Sequence, residues 1–242
     1  MSEYDAIAGE YQESKRLSFR EHVERYTLFE TLGDVRGKTV LDLACGEGFY
    51  TRLLRQAGAS EVTGVDISAA MIELAEEQER RQPLGCSYVQ ADVAAFEPDR
   101  TVDLVVAMYL LNYASTRERL RRFCRVCHDA LRPGGRFVGV NDNVRNPPAA
   151  PGAWKKYGLE RTCASPPAEG DVVRYTITNA DGRQFEFDNY YLAPETYADA
   201  FRRAGFRAFR WIDVALHPAR RGDPFWDDFM TNPPIVAFAA SR

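Results

Sequence analysis

The chain has 242 residues and a mass of 27.4 kDa, a length that suits one α/β domain or two small ones. Its 45% apolar and 27% charged residues match an average soluble globular protein, which excludes disorder throughout, collagen-like sequence and a bare coiled coil. Thirty-one basic against 35 acidic side chains give a net charge of −4, without the basic excess expected of a nucleic-acid binder. The apolar run Val102 to Leu111 carries Asp103 and is too short to span a bilayer. The N-terminal residues show neither a basic n-region nor an apolar h-region, so a cytoplasmic protein with no membrane partner is expected. Five cysteines, an odd count, predict free thiols in a reducing compartment.

Taken in chain order, Leu17, Val23, Tyr26, Leu28 and Phe29 recur at roughly helical spacing and predict a helix over 14–32, stopped by Gly33. Strands and helices then alternate. Lys38 to Cys45 reads as a buried strand, Phe49 to Gln56 as a helix stopped by Gly58, and Glu61 to Asp66 as a second strand. Ser68 caps a helix carrying Met71, Ile72 and Leu74 that ends before Pro83. Cys86 to Asp92 and Val102 to Met108 read as the third and fourth strands. Ser115 to Leu131 is a helix, Arg132 to Gly135 a tight turn and Arg136 to Asn141 a fifth strand. Strands separated by helices of this length imply a parallel sheet covered on both faces.

The pattern breaks over Asn143 to Gly170, a Pro-, Ala- and Gly-rich loop with Pro147, Pro148, Pro151, Pro166 and Pro167. Two β-rich runs around Asp181-Gly182, from Val172 to Tyr190, predict a hairpin. A helix over Pro194 to Arg203 follows, then strands over Phe206 to Leu216 and Ile235 to Ser241, with a short helix over Phe225 to Met230 between them. The whole reads as one domain: an N-terminal segment (1–32), a core (38–141), an insertion with hairpin and helix (142–205), and C-terminal strands (206–242).

Three local patterns have ordinary explanations. Cys124-Arg-Val-Cys127-His128 fits a haem-attachment motif, but Leu120, Phe123, Cys124, Cys127 and Leu131 form one apolar helical stripe that accounts for both thiols. Arg117 to Arg122 is a dense basic run that fits a solvated helix face. Asn146-Pro147-Pro148 and Asn232-Pro233-Pro234 lack a following aromatic and read as loops. The three histidines are far apart in sequence and suggest no metal site, and His217 reads as a loop residue.

Chemistry concentrates at Leu41-Asp42-Leu43-Ala44-Cys45-Gly46-Glu47-Gly48, which joins a strand to a helix. Two glycines let backbone turn sharply and pass close to a ligand. The next two strands end in Asp66 and Asp92, suited to ribose hydroxyls and to an exocyclic amine. Strand C-termini are where open α/β sheets bind ligands. A dinucleotide fingerprint would place a third glycine where Thr51 stands, and Asp42 fits a cationic amino-acid end better than a pyrophosphate.

The series LDLACGEG, VTGVDIS (Val62 to Ser68), VQADV (Val89 to Val93), VDLVVAMYLLNYA (Val102 to Ala114) and LRPGGRFV (Leu131 to Val138) resembles the class I S-adenosylmethionine-dependent methyltransferases. The resemblance implies an α/β, Rossmann-like, seven-stranded, mostly parallel sheet with an antiparallel last strand. An added β-hairpin is expected over the C-terminal strand edge. It implies S-adenosylmethionine as cofactor, with Asp66 at the ribose, Asp92 at the adenine amine, and Ile67 and Val93 on the adenine faces. Asp42, Arg20 and the Gly46 backbone are expected at the amino-acid end, with Tyr11, Ala44, Met71 and Met108 completing the cofactor set.

Tyr4 to Tyr11 followed by a helix with Arg20 is similar to small-molecule N-methyltransferases of the glycine N-methyltransferase and toxoflavin-synthesis kind. That similarity implies an N-terminal lid and a small-molecule acceptor in natural-product biosynthesis. Tyr4, Tyr109, Asn112 and Tyr191 are the candidate catalytic residues. With tyrosines and amides at the strand ends and no evident His–acid pair, N-methylation of a flat heteroaromatic or small amine is expected. O-methylation of a phenol is the alternative, and a non-catalytic cofactor-binding protein the second. Oligomeric state is left open.

Overall fold

The computed structural model describes residues 3–146 and 152–242. Pro147, Pro148 and Pro151 of the expected loop lie outside the described residues, as do Met1 and Ser2. Near the N-terminus, α1 (Ala8–Ser14) is followed by a π-helical stretch (Arg20–Arg25) that runs into α2 (Tyr26–Leu32). The single helix expected over 14–32 therefore starts later and is wound wide over one and a half turns, while a separate short helix precedes it. Next come β1 (Thr39–Leu43), α3 (Phe49–Gln56), β2 (Glu61–Asp66), α4 (Ala69–Arg81), β3 (Cys86–Gln90) and β4 (Val102–Met108). Then follow α5 (Arg117–Ala130), β5 (Leu131–Asp142), β6 (Leu159–Thr162), β7 (Val172–Thr178) and β8 (Gln184–Tyr190). The chain closes with α6 (Pro194–Ala204), β9 (Ala208–Ile212), α7 (Asp227–Thr231) and β10 (Ile235–Ser241).

Seven strands form one sheet in the order β3-β2-β1-β4-β5-β10-β9. The first five are parallel, and β10 inserts antiparallel between β5 and β9. The Rossmann-like sheet with an antiparallel last strand is as expected. Alternation with period 2 divides its side chains between two cores. Val40, Leu104, Val106, Val138 and Val140 pack with Val23, Leu28 and Leu32 of the N-terminal helices. Leu41, Leu43, Val105 and Phe137 face α5 and α6, where Phe123, Cys124, Cys127 and Phe201 are buried. Burial pushes both thiols well above their usual pKa, and all five cysteines are free.

Three expectations are corrected. Arg132 to Gly135 is not a separate turn but the irregular start of β5, where the register against β4 shifts between Val102 and Leu104. The Pro-rich segment contains a strand, β6, which pairs antiparallel with β7 and turns the hairpin into a three-stranded sheet. This sheet does not cover the C-terminal strand edge. Its β8 packs on α1 and on the turn Leu110–Tyr113 that follows β4, so it stands over the strand C-termini. The two Asn-Pro-Pro loops meet each other: Asn143 and Asn146 both donate side-chain hydrogen bonds to the Pro233 carbonyl.

Order β2-β1-β4-β5 places a topological switch between β1 and β4, where connections leave to opposite sides and a crevice opens at the strand C-termini. The crevice needs β4, β5 and β10 close-packed below it. At Gly139 of β5 an added Cβ would collide with the Ala107 carbonyl oxygen of β4 and stand 2.6 Å from the Phe238 ring of β10. Gly139→Ala should therefore destabilise by about 2–3 kcal/mol, as overpacking does. That corresponds to a melting temperature lowered by roughly 5–10 °C in a domain of this size. Calorimetry showing a shift under ~2 °C would contradict this packing.

Candidate active site

The loop after β1 carries three residues in the left-handed region within five positions: Ala44 (φ 58°), Gly46 (φ 55°) and Gly48 (φ 79°). For Ala44 this conformation is uncommon, and strain of that kind persists where surroundings over-determine it. Here the surroundings are hydrogen bonds. Cys45 N–H donates to the Val65 carbonyl at 3.0 Å, and Gly46 N–H donates to Asp66 Oδ2 at 2.8 Å. Asp66 Oδ1 accepts from Ser68 N–H at 2.9 Å. Burial raises the Asp66 pKa, and those two backbone donors offset part of the shift. The same carboxylate thus holds the loop and the start of α4 in place.

A cleft of about 160 Å³ opens above this loop, at the strand C-termini where open α/β sheets bind ligands. The structure brings ten of the predicted residues to its walls. Ala44, Gly46, Asp66, Ile67 and Met71 line one side, and Asp92, Val93 and Met108 the other. Tyr4 and Tyr11 close it from above. Ile67 is an apolar side chain left 49% exposed at the rim. Asp92 caps the turn Val93–Ala95 through Ala94 N–H and pairs with Arg119 at 3.6 Å.

The N-terminal segment is tied across the opening. Asp5 Oδ1 accepts from Ser68 Oγ at 2.6 Å, and the Tyr4 and Tyr113 hydroxyls are hydrogen-bonded. Tyr4 packs edge-on against Tyr11 and Tyr113, and Tyr11 against Phe185 and Phe187 of β8.

Beside Gly46 a smaller recess holds Asp42, Lys15 and Tyr50. Asp42 Oδ2 accepts from Thr51 Oγ1 at 2.7 Å, while its Oδ1 is buried with no hydrogen-bond partner. Burial pushes the Asp42 pKa up to about 7, against the Thr51 hydrogen bond and the Lys15 charge. A buried acceptor lacking a partner next to an open recess is the expected state of a site built for a cation.

A second, much smaller cavity of about 30 Å³ shares Tyr11 and Tyr113 with the cleft. Arg20 and Tyr109 lie on its wall, together with Asp142, Tyr175, Phe187 and Asn189. Arg20 lines this second cavity, and Lys15 lines the recess that holds Asp42. The Arg20 guanidinium donates to Glu24 Oε2 at 3.0 Å, both side chains being buried. Burial opposes its charge, but Glu24 and the surrounding phenols leave its pKa above that of a free arginine. The Tyr109 hydroxyl also donates to Glu24, which holds Tyr109 at φ 67°.

Asn112 and Tyr191 line neither the cleft nor the second cavity. Asn112 is buried, and its Oδ1 accepts from Asp142 N–H at 3.2 Å, bracing the end of β5. Tyr191 lines a third recess with Asn143, Arg161 and Cys163, because β8 ends beyond the cavity and turns toward α6. Lys15, Glu24, Tyr113, Asp142 and Asn189 stand at the site without having been singled out as site residues. Only Tyr113 carried a signal, as a tyrosine just past a strand end. Among the described residues no group of three or more His, Cys, Asp or Glu side chains is placed to hold a metal, and no helix is long and apolar enough to cross a membrane.

Comparison with known proteins agrees with this geometry. Residues 40–135 match the family model described as a methyltransferase domain. Over 114 residues the chain is 32% identical to the ubiquinone biosynthesis O-methyltransferase of Coxiella burnetii, an alignment covering 46% of this chain and 47% of that protein. The chain thus spans about half the length of that relative. It is 27% identical over 224 residues to the demethylmenaquinone methyltransferase of Tropheryma whipplei, covering 90% of each chain. The crystal structure of an S-adenosylmethionine-dependent methyltransferase from Mesorhizobium loti superposes with a TM-score of 0.66 at 23% identity, covering 90% of this chain and 97% of that one.

The recess chemistry generates a prediction. An acid whose folded pKa is raised stabilises the fold below its unfolded pKa, and that contribution is lost as pH rises through the folded value. For Asp42 the window runs from the usual 3.8 to about 7. Asp42→Asn should melt a few degrees higher than wild type near pH 8, with the difference vanishing near pH 4. The same variant should bind S-adenosylmethionine at least ~10-fold more weakly, the scale of a lost charged hydrogen bond. Equal melting at both pH values would refute the burial argument. Residues 40–135 thus match a methyltransferase domain, and the described residues have the Rossmann-like fold of S-adenosylmethionine-dependent methyltransferases.

Proposed function

We propose that the chain transfers a methyl group from S-adenosylmethionine to a small-molecule acceptor that enters the cleft beside Tyr11 and Tyr113. The observation that carries this reading is the cleft at the strand C-termini, walled by Tyr4, Tyr11 and Tyr113, with a smaller aromatic and polar recess on the far side of Tyr11 and Tyr113.

In this reading Asp66 takes the ribose hydroxyls, Asp92 the adenine amine, and Ile67 and Val93 the adenine faces. Gly46 leaves its backbone open: a Cβ there would find nothing nearer than 3.9 Å within the protein, so a ligand can occupy that space. Asp42 Oδ1 receives the ammonium group, and Lys15 stands within reach of the carboxylate end. S-adenosylmethionine supplies an electrophilic methyl on an excellent leaving group. The protein contributes position and dryness. In-line attack wants the nucleophile ~3 Å from the methyl carbon, and excluding water strengthens every internal interaction. Tyr4, Tyr11 and the β8 rings Phe185 and Phe187 exclude water from above.

Natural-product N-methylation is supported by the likeness of the N-terminal segment to small-molecule N-methyltransferases and by the flat aromatic walls. O-methylation is the second reading. It is favoured by Asp142, a buried carboxylate on the wall of the second cavity, and by the O-methyltransferase name of one relative.

The test is incubation with methyl-labelled S-adenosylmethionine and pools of amines, azaheterocycles and phenols, read by mass spectrometry. Label should appear in a small molecule. Binding of the cofactor with no transfer to any pool would favour the non-catalytic alternative. Deleting residues 1–12 should leave the circular dichroism and melting cooperativity of the core unchanged, yet lower turnover at least ~10²-fold, as loss of positioning does. Near-normal turnover would show that Tyr4 and Tyr11 do not form a lid.

A further inference from the structure

A parallel sheet is normally covered by helices on both faces, and here the cover is incomplete. α3 and α4 pack against β2 and β3 from one side, while α5 on the other side reaches β4 and β5. The connection from β3 to β4 crosses β2 and β1 on that second side. It runs from Ala91 to Thr101 and holds no helix longer than the single turn Val93–Ala95. Crossovers between parallel strands usually take a dozen or more residues and carry a full helix. This one is too short for that, and a groove of about 360 Å³ is left on the sheet. None of the residues lining it belongs to a helix.

We propose that this groove docks a helix of a partner protein, apolar on the side that meets the sheet and flanked by lysine or arginine. Register fixes the floor. Leu41 of β1, Thr63 of β2 and Ser87 of β3 are neighbours across the strands. Two residues along β3, Val89 on the same face is left 40% exposed. Phe96 and Val102 add apolar wall. Thr63 and Ser87 are small enough to let a backbone come close, with apolar side chains on either side of them. Strands lie about 4.8 Å apart, so three of them span roughly the 10 Å diameter of a helix. A strand added at the free edge of β3 would extend the sheet but leave this face bare.

Charge narrows the partner further. Glu61, Glu97, Asp99 and Arg100 form the rim. Arg100 donates to Glu61 and is neutralised by it. Glu97 and Asp99 are exposed and have no ion pair among the described residues, so the rim carries two uncompensated negative charges. They favour a cationic helix over an acidic one and steer its approach. A second copy of the chain docked face to face would set these acids against themselves.

The probe is a fluorescein-labelled amphipathic peptide of about 14 residues, leucine on one face and lysine on the other, titrated with the full chain and read by anisotropy. A counterpart with glutamate for lysine is the control. The lysine peptide should bind with Kd below about 100 µM and gain helical circular dichroism, and the glutamate peptide should not bind. Val89→Asp should weaken binding at least ~10-fold, and Glu97→Lys combined with Asp99→Lys at least ~5-fold. Glu73→Lys combined with Glu76→Lys makes the same charge change at exposed positions of α4, on the covered face, and should leave binding within about twofold. Should Val89→Asp fail to fold, Ser87→Trp fills the groove from an exposed position and must weaken binding as much.

Absence of binding by the lysine peptide, equal binding of both peptides, equal weakening by the α4 reversals, or wild-type affinity in the groove variants would overturn the proposal. Sheet-type circular dichroism on binding would overturn it by assigning the partner to the edge of β3. Self-association of the chain abolished by Val89→Asp would overturn it by assigning the face to a second copy. The groove shares no lining residue with the cofactor cleft, so none of these outcomes bears on methyl transfer.

Discussion

Glu24 ties the N-terminal helices to the sheet. Its buried carboxylate accepts hydrogen bonds from Arg20 in its own helix, from Tyr50 in α3 at 2.5 Å, and from Tyr109 at the end of β4. Three elements that border the crevice therefore converge on one charge. Inside a low-dielectric interior such a network is rigid when satisfied, and stripping one partner from a buried ion pair costs about 3–5 kcal/mol. The walls of the second cavity inherit this rigidity. Arg20 is held with Nε turned to no protein acceptor, and Tyr109 is held in a left-handed conformation that a free chain would avoid. The π-helical winding from Arg20 to Arg25 belongs to the same arrangement, since such segments recur where helices serve a site.

Above that scaffold lie three acids at the ends of β1, β2 and β5. Asp42, Asp66 and Asp142 are each buried, and burial raises the pKa of each. A parallel sheet places its strand C-termini on one edge, so these carboxylates cluster there by topology rather than by chance. Asp66 is stabilised by backbone donors it holds in the folded chain. Asp42 is not: one of its oxygens waits for a partner that the protein does not contain. Stability and function pull apart at this position, as they commonly do where a site is prepared for a ligand.

Much of this was readable from residues alone. The strand boundaries at Glu61–Asp66, Val102–Met108 and Ile235–Ser241, and the helix Phe49–Gln56, follow directly from short apolar runs bounded by glycine or acid. The cofactor-cleft residues follow from their positions at strand ends. Glu24, Lys15 and Asp142 do not. Glu24 sits among Arg20, Glu21, His22 and Arg25, where any one charge looks like part of a solvated face, and only packing shows which one is buried. Asp142 lies in Asn141-Asp142-Asn143, which reads as the start of a polar loop, yet all three are buried beneath the three-stranded sheet and its neighbours. That sheet was half visible. Its hairpin has a turn signal, but β6 is four residues long within a proline-rich stretch, and where the sheet docks is decided by contacts distant in sequence.

The central claim is that Asp42 is kept largely protonated in the free protein and ionises when the amino-acid end of the cofactor arrives. Calorimetric titration with S-adenosylhomocysteine in buffers of different ionisation enthalpy measures the protons exchanged. The account predicts net proton release on binding between about pH 5 and 7, approaching one proton at the acid end and fading above about pH 8, and absent in Asp42→Asn. Binding by wild type with no proton release anywhere in that range would contradict it.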